Sequence, residues 1–442
     1  MVELDSAAEL PVAKTRLRRL ALHNVRHHCG TAITCRYHLP PSLTGVDMHK
    51  EVVRRFENAV AQTIPQFPMQ VGLIGESTRK PSWDKQYKAT LLYQLDAKFE
   101  HLETRPGWRR LLMRTEADDF VDIMFIWNHA NCDGMRGTIF HLSLLQSLHR
   151  PASWGPFKLA KQPITLGFAF SQVWHTFGPS LLSSKSAKAT CAPLQLGSYA
   201  SQATSFNIQN EALGRILAAS CLACCVPQGK ARDFTAARAM DQRRFMCPRK
   251  GNGEERQKGV DARRSVQNCV SSIHHTFGYS LVADIRAKAR TNNWEAQPIR
   301  DLEKEIWSAS RVARGDIEER LNAGLKNNIV GLMKLVHDWQ EYHGDQAKRD
   351  RELSWIVTNL GVIDGESEVE TAVHGGNDRW SINQANFALS AHVAGPFVQI
   401  STPSIEARDL SVTLSRQEPI EGNETCARLA QGVEAWLRFL GQ

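Results

Sequence analysis

The stretch FVDIMFIWN, residues 120–128, constrains the fold most, because it is short and almost wholly apolar. Such a run is typical of a strand that is buried on both faces of a sheet. From Gly134 onward, apolar residues recur every three positions between Ile139 and Leu148, which predicts a helix with one buried face. The residues between the two elements therefore lie in a strand-to-helix connection. Rigid scaffolds commonly present functional groups in such connections.

The chain is too long for one compact core. At 442 residues, domain-size statistics favour two lobes of roughly 200 residues each. Hydrophobic residues make up 42% and charged residues 23%, which is the composition of a globular protein. A Ser-rich stretch from Ser183 to Ser201 is the best candidate for the crossover. We therefore expect lobes at residues 1–190 and 191–442.

Charge and targeting signals favour a cytoplasmic protein and weaken a nucleic-acid-binding interpretation. The formal net charge is +8, but the basic residues are dispersed, and runs such as RLRR (residues 16–19) are interpreted as solvated faces. The first residues lack the pattern of a signal peptide, and no run of eighteen apolar residues occurs. The apolar segment 164–182 leaves two alternatives open, a peripheral membrane contact or packing between lobes. We expect a monomer.

The cysteines do not predict a metal site. CLACC, residues 221–225, resembles half of a zinc site, but no second C-x-x-C follows it. In the cytosol the ten cysteines are expected to stay reduced. We therefore expect no metal.

Further segments predict the regular elements. Residues 31–39 indicate a strand, residues 48–62 a helix, and YKATLLYQLD, residues 87–96, another strand. In the second half, residues 301–346 are interpreted as strongly helical. Strands are expected at SWIVTNLG, QANFALSAHVAG, PFVQISTPSI and DLSVTLSRQ, followed by a closing helix at ETCARLAQGVEAWLRFL.

His129 and Asp133 stand in the strand-to-helix connection in the order H-x-x-x-D-G. A neutral imidazole can take a proton from a hydroxyl that attacks a carbonyl, which contributes roughly 10²- to 10⁴-fold to a rate. Spacing alone leaves an ordinary loop histidine equally open, and a second copy, His374 to Asp378, is interpreted as a turn. Asp133 either orients the imidazole or braces the loop through a distant cation. Gly134 favours bracing, because glycine adopts backbone angles closed to other residues and lets the loop turn sharply.

With these flanks included, the chain resembles the fungal alcohol acetyltransferases. That family belongs to the HxxxD acyltransferases, with chloramphenicol acetyltransferase, the plant BAHD enzymes and peptide-synthetase condensation domains. The resemblance is stronger than any single motif, because its segments follow the family's order and span most of the chain. They are ALHNVRHHCGTAITCRYHLP (21–40), VVRRFENAVAQTIPQFPMQVGL (52–73), WNHANCDG (127–134), AMDQRRFMCP (239–248), ELSWIVTNLGVID (352–364), FALSAHVAGPFVQIS (387–401) and DLSVTLSRQEPIEG (409–422).

The resemblance implies an α/β (α+β) fold of the chloramphenicol acetyltransferase type, with two lobes that are each a mixed sheet flanked by helices. It also implies a tunnel between the lobes. Acyl-coenzyme A, with acetyl-coenzyme A as the expected form, would enter from one side as co-substrate. An alcohol or a hydroxylated metabolite would enter from the other side and lose its proton to His129. Neither a permanently bound cofactor nor a metal is implied.

The resemblance also implies roles outside the motif. In related enzymes the motif aspartate pairs with an arginine from a later D-x-R segment, so we expect an ion pair between Asp133 and Arg243. Thr358, Asn359 and Ser390 lie on segments that the family places near the tunnel. They are candidates for stabilising the oxyanion of the tetrahedral intermediate.

Two departures from the family pattern leave alternatives open. Residues 217–237 contain Pro227 and Gly229 where the family has helices, and Arg416 stands where family members often carry Trp. One alternative is a catalytically weakened relative that binds a ligand or partner without turnover. Another is a condensation-type enzyme that uses a carrier-protein thioester, although its motif usually has a second histidine where this chain has Asn128.

Overall fold

A computed structural model of the chain describes most of the elements predicted above. The described residues are 18–24, 26–44, 48–63, 74–77, 83–100, 107–113, 119–130, 132–149, 200–208, 233–245, 268–289, 302–326, 328, 333, 335–366, 379–418 and 423–440. The predicted lobe boundary near residue 190 lies outside them, so the division into 1–190 and 191–442 stays a prediction.

Eleven strands and seven longer helices form the regular structure of the described residues. The strands are β1 (Gly30–His38), β2 (Ile74–Ser77), β3 (Trp108–Met113), β4 (Phe120–Asn128), β5 (Ser201–Ile208), β6 (Phe234–Asp241), β7 (Val270–Phe277), β8 (Trp355–Ile363), β9 (Ser381–Leu389), β10 (Val398–Ile405) and β11 (Leu410–Gln417). The helices are α1 (His49–Thr63), α2 (Trp83–Asp96), α3 (Gly134–His149), α4 (Tyr279–Ala289), α5 (Glu303–Ala323), α6 (Trp339–Gln346) and α7 (Asn423–Leu440). A further helical segment covers residues 18–24.

The strands form two mixed sheets. The first has five strands in the order β2-β3-β4-β1-β9, and the second has six in the order β5-β11-β10-β8-β6-β7. Pairing is parallel between β2 and β3, between β10 and β8 and between β6 and β8, and antiparallel elsewhere. Two mixed sheets flanked by helices confirm the predicted fold class.

Strand β9 joins the two halves of the molecule. It comes from the second half of the sequence, yet it pairs with β1 of the first sheet, where Leu389 is opposite Thr31. Its Asn386 side chain also accepts a 2.7 Å hydrogen bond from Thr413 Oγ1 of β11 in the second sheet. The two sheets are therefore connected both by the chain and by side-chain contacts.

Strand β4 is buried on both faces, as its apolar composition predicts. Phe125 and Trp127 belong to one hydrophobic cluster, together with residues of α1 and α3. Met124 and Ile126 point into another, with residues of α2. Because helices cover both faces, the strand has no solvated side and no polar alternation. The predicted buried strand is confirmed.

Helix α3 forms where the sequence predicts it, but its buried face differs. Phe140, Leu144 and Leu145 are buried, whereas Ile139, Leu142 and Leu148 are only partly buried. The three-residue repeat that guided the prediction drifts around a helix of 3.6 residues per turn. Of Ile139, Leu142, Leu145 and Leu148, only Leu145 is buried in the hydrophobic cluster that α3 joins.

The strand predicted at residues 87–96 is wrong. These residues belong to α2, and Leu91 and Leu95 are buried while Tyr87 packs partly buried beside them. Their spacing of four is the spacing of one helix face. The Tyr and Leu content favoured a strand, and the amphipathic spacing overrode it.

The second sheet has its own core. Trp355, Phe277 and Trp436 are buried in one cluster that contains residues of α4, α5 and α7. Strands β8, β9, β10 and β11 and helix α7 confirm the predictions for the last third of the chain. The interval 301–346 is less helical than predicted, because α5 ends at Ala323 and α6 begins only at Trp339. No helix among the residues described here is long and apolar enough to cross a membrane.

Candidate active site

The site lies where the two sheets meet. His129 follows the end of β4, and Asp133 directly precedes α3. The segment that leads into β7 of the second sheet contacts both residues. Asn268 Nδ2 donates a 3.2 Å hydrogen bond to the His129 carbonyl, and the Cys269 N–H donates a 2.7 Å bond to the Asp133 carboxylate. The loop is therefore held from the opposite sheet.

Asp133 forms a bidentate ion pair with Arg243. Arg243 Nη1 and Nη2 donate hydrogen bonds of 2.9 and 3.0 Å to the two carboxylate oxygens. Arg243 Nη1 also lies 3.0 Å from Asp241 Oδ1. Both members of the pair are almost fully buried, with side-chain exposures of 2% for Arg243 and 0% for Asp133. Burial alone would lower the pKa of Arg243, but the surrounding negative charges, led by Asp133, and the hydrogen bonds to Asp133 together outweigh it and raise the pKa above its ordinary value.

The ion pair decides between the two roles left open for Asp133. Its carboxylate contacts Arg243 and Cys269, while His129 Nδ1 lies 2.9 Å from the Cys132 carbonyl oxygen. The aspartate therefore braces the loop rather than orienting the imidazole directly. This geometry matches the expected contact with the D-x-R segment.

The orientation of His129 leaves Nε2 as its basic nitrogen. A carbonyl oxygen can only accept, so Nδ1 carries the proton of the neutral ring when it bonds the Cys132 carbonyl. The same carbonyl accepts a 3.2 Å bond from Trp127 Nε1, which fixes its position. The lone pair of the neutral His129 ring is then on Nε2.

Burial keeps His129 neutral. The residue is 8% exposed. Burial, followed by the positive charge of Arg19, lowers the pKa of His129 well below its ordinary value. A group with a low pKa is a weaker base, but it stays unprotonated over the whole physiological range.

The interpretation of RLRR as a solvated face is wrong for Arg18 and Arg19. Both residues are half-buried in the helical segment 18–24. The next helical turn explains why, because Ala21 and Leu22 are buried and Ala21 packs against Met333 and Trp339. The charge of Arg19 acts on the His28 and His129 rings.

Gly134 serves a different purpose from the one predicted. It is the first residue of α3, and it is not among the described glycines with a positive φ, Gly324 and Gly361. A Cβ at Gly134 would instead meet Leu360 Cδ2 at 2.5 Å and Phe387 Cζ at 3.3 Å. The glycine is therefore required by close packing, not by backbone conformation.

The three oxyanion candidates occupy different surroundings. Thr358 and Asn359 are half-buried residues of β8, and Asn359 Oδ1 accepts a 2.6 Å bond from the Gly361 N–H. Ser390 is buried, and its Oγ accepts bonds from the N–H groups of Cys29 and Gly30 at 2.8 and 3.1 Å. Of the three, only Ser390 is shown in contact with a residue that touches the His129 ring, namely His28.

Several residues of the site carry no signal in the sequence. The His28 ring lies 5.6 Å from the His129 ring and 5.5 Å from the His392 ring, measured between centroids. Asn268 holds the loop backbone. All of these residues are far from residues 120–149 in sequence, so only the fold brings them together.

Both departures from the family pattern can be located. Arg416 is a half-buried residue of β11, where it pairs with Gln202 of β5 and Val398 of β10 without breaking the strand. Residues 217–232 lie outside the described residues, as do the CLACC segment, the apolar segment 164–182 and the second motif copy at residues 374–378. Within the described ranges, no group of three His, Cys, Asp or Glu side chains is arranged to hold a metal ion.

Comparison with known proteins finds one curated relative over most of the chain. A probable alcohol acetyltransferase, FCK4 of Fusarium pseudograminearum (strain CS3096), is 22% identical over 449 residues, which cover 87% of this chain and 85% of the relative. This chain is similar to a probable fungal alcohol acetyltransferase. The predicted resemblance is thus confirmed, and acyl transfer to a hydroxyl is the activity that this match supports. No family model matches the chain.

Solved structures share the fold over nearly the whole chain. The TRI3 trichothecene 15-O-acetyltransferase from Fusarium sporotrichioides superimposes with a TM-score of 0.67 at 13% identity, covering 96% of this chain and 93% of that one. The condensation domain of the monacolin K polyketide synthase MokA gives a TM-score of 0.52 at 10% identity, covering 96% of each chain. At these identities the likeness is one of fold.

Proposed function

We propose that this protein transfers an acyl group from acyl-coenzyme A to the hydroxyl of an alcohol or a hydroxylated metabolite, with His129 as general base. The observation that carries the proposal is the 2.9 Å contact between His129 Nδ1 and the Cys132 carbonyl. It leaves an unprotonated Nε2 on a buried ring at the meeting point of the two sheets. That is the state in which an imidazole can accept a proton from an attacking hydroxyl.

The reaction follows from this placement. As the acceptor oxygen forms its bond to the thioester carbonyl carbon, its proton moves to His129 Nε2. The carbonyl electrons move onto oxygen and give a tetrahedral oxyanion. Collapse of this intermediate breaks the carbon–sulfur bond, and the departing thiolate takes the proton from His129. Asp133 and Arg243 act through the loop, because their ion pair keeps the histidine at the interface.

Coenzyme A as the donor carrier is supported by three similar proteins. Two are acetyltransferases by name, and the starter condensation domain of the rhizomide synthetase RzmA was solved as a mutant in complex with C8-CoA. That domain has a TM-score of 0.54 at 12% identity and covers 99% of this chain. An acyl-coenzyme A co-substrate needs neither a metal nor a bound cofactor from the protein. The cytoplasmic location, the monomeric state and the peripheral membrane contact stay predictions.

A thiol-release assay tests the proposal. Purified protein is mixed with acetyl-coenzyme A and a panel of alcohols, sterols and hydroxylated polyketides, and free coenzyme A is measured together with the ester product. We expect thiol release that depends on the acceptor. His129→Ala is expected to lose the contribution of a general base, about 10²- to 10⁴-fold in kcat.

The matched control is His274→Ala, which removes an exposed histidine from β7 and is expected to keep full activity. Equal activity in His129→Ala and the unaltered protein would exclude His129 as the base. Bound coenzyme A without turnover on any acceptor would favour the catalytically weakened relative. Turnover with an acyl carrier protein but not with coenzyme A would favour the condensation-type enzyme.

A further inference from the structure

The Ser390 hydroxyl has a fully assigned hydrogen-bond environment. Its oxygen accepts bonds from the backbone N–H groups of Cys29 and Gly30, at 2.8 and 3.1 Å. It also lies 3.2 Å from Nδ1 of His28. A hydroxyl has two acceptor lone pairs and one hydrogen to donate. Since two backbone donors occupy the lone pairs, the hydrogen is directed at His28 Nδ1.

This assignment fixes the tautomer of His28. An imidazole nitrogen that accepts a hydrogen bond carries no proton, so the proton of the neutral His28 ring is on Nε2. Burial, aided by the charge of Arg19, lowers the pKa of His28 to about 3, which keeps the ring neutral. His28 therefore presents an N–H group on its other side.

That N–H group is unused by the part of the protein that the structure describes. His28 is 2% exposed, and its Nε2 is buried without a hydrogen-bond partner among the described residues. A buried donor without a partner costs about 1–3 kcal/mol, and such groups in native proteins call for an explanation. The His28 ring is tilted by 56° against the His129 ring, with the centroids 5.6 Å apart. An unused donor and an unprotonated base thus stand side by side.

We propose that His28 is a further catalytic residue, whose Nε2–H donates a hydrogen bond to the oxyanion of the tetrahedral intermediate. This inference rests on the proposed function. The attacking oxygen and the oxyanion are bonded to the same carbon, so the base and the oxyanion donor must be neighbours, as His129 and His28 are. The developing negative charge supplies the acceptor that His28 lacks in the free protein. No proton leaves His28 in this step.

Ser390 then has a positioning role instead of the direct role considered for it. Its hydrogen is committed to His28 Nδ1, so it cannot also be donated to the oxyanion. By holding Nδ1 unprotonated, Ser390 keeps the proton of the ring on the side of the reacting group. Among the described residues, neither Thr358 nor Asn359 forms a hydrogen bond with either ring, and Asn359 Oδ1 instead accepts the Gly361 N–H.

Two substitutions of His28 distinguish loss of the Nε2–H hydrogen bond from loss of side-chain packing. The amide nitrogen of Asn reaches the position of Nδ1, whereas that of Gln reaches the position of Nε2. His28→Asn is expected to lower kcat about 10²–10³-fold, the cost of one oxyanion donor, with the KM for acetyl-coenzyme A unchanged. His28→Gln is expected to recover a large part of that loss. His27→Asn, the same change at the neighbouring buried histidine, controls for loss of an imidazole from this region.

A double variant tests the link to Ser390. Ser390→Ala is expected to lower kcat less than His28→Asn does, and the double variant to be no slower than His28→Asn alone, because both changes remove the same function. Thermal unfolding of every variant verifies that it is folded. If wild type turns over, His129→Ala does not, and His28→Asn keeps its kcat, this inference is overturned while the proposed function stands. Equal losses in His28→Asn and His28→Gln would assign His28 a packing role and overturn it too. Absence of turnover in wild type would instead overturn the proposed function.

Discussion

Removal of Arg243 tests the brace of the active-site loop. In Arg243→Ala, the buried carboxylate of Asp133 loses two charge-assisted hydrogen bonds, of 2.9 and 3.0 Å, and with them the one counter-charge that contacts it among the described residues. Stranding one member of a buried ion pair costs about 3–5 kcal/mol. The 2.7 Å bond from the Cys269 N–H remains and continues to stabilise the carboxylate. We therefore expect a loss at the lower end of that range, about 3 kcal/mol.

Urea unfolding followed by tryptophan fluorescence measures this loss. The chain has eleven tryptophans, and Trp127, Trp355 and Trp436 are fully buried, so the summed emission reports on unfolding of both sheets. Arg244→Ala is the matched control, because Arg244 is the exposed neighbour of Arg243. Exposed substitutions of this kind usually change the free energy of unfolding by no more than about 0.5 kcal/mol.

A double-mutant cycle excludes a general packing effect. Once Arg243 is absent, changing Asp133 to Ala removes the stranded charge, so the double variant should be less destabilised than the sum of the single variants. Strict additivity, or a loss in Arg243→Ala no larger than that in Arg244→Ala, would show that the pair does not brace the loop.

Three further outcomes follow from the same geometry. Gly134→Ala should destabilise the protein by about 1–3 kcal/mol in urea unfolding, because the new Cβ would meet Leu360 Cδ2 at 2.5 Å; an unchanged midpoint would contradict the packing role. Tyr37→Phe should cost about 1–3 kcal/mol, since it removes the 2.9 Å partner of the buried His141 Nδ1, and the same unfolding assay measures it. The pKa of His129 is lowered well below its ordinary value, mainly by burial, so the base stays unprotonated in mild acid. The acid limb of the kcat/KM profile should therefore lie below about pH 6.5, and a midpoint at or above that value would contradict this electrostatic environment.

The sequence predicts local elements where one strong pattern governs them. The apolar run 120–128 predicts a buried strand because nine residues are few for a helix, and the apolar repeat from Ile139 to Leu148 predicts α3, although not its buried face. Residues 87–96 contain both a β-favouring composition and a helical spacing. Tertiary packing of Leu91 and Leu95 against the first sheet decided for the helix.

The sequence predicts the site only in part. The HxxxD motif is local, and the D-x-R segment could be matched to it through the family resemblance. The role of Gly134 could not be read, because its close neighbours Leu360 and Phe387 are brought near by β8 and β9. The partial burial of Arg19 could not be predicted either, because charged runs are usually solvated. Only the packing of the following helical turn buries part of this run.

His28 shows most clearly what a linear reading cannot supply. The residue that sets its tautomer, Ser390, is 362 positions away. Strand β9 comes from the second half of the chain and pairs with β1. The backbone pairing continues past the end of β9, where the Ser390 N–H donates to the Gly30 carbonyl at 2.8 Å and the Val393 N–H donates to the His27 carbonyl at 2.9 Å. Residues 390–393 are thereby laid alongside residues 27–30. The crossing strand thus unites the sheets and also places a hydroxyl against the ring beside the base, so the architecture and the chemistry of the site depend on the same backbone pairing.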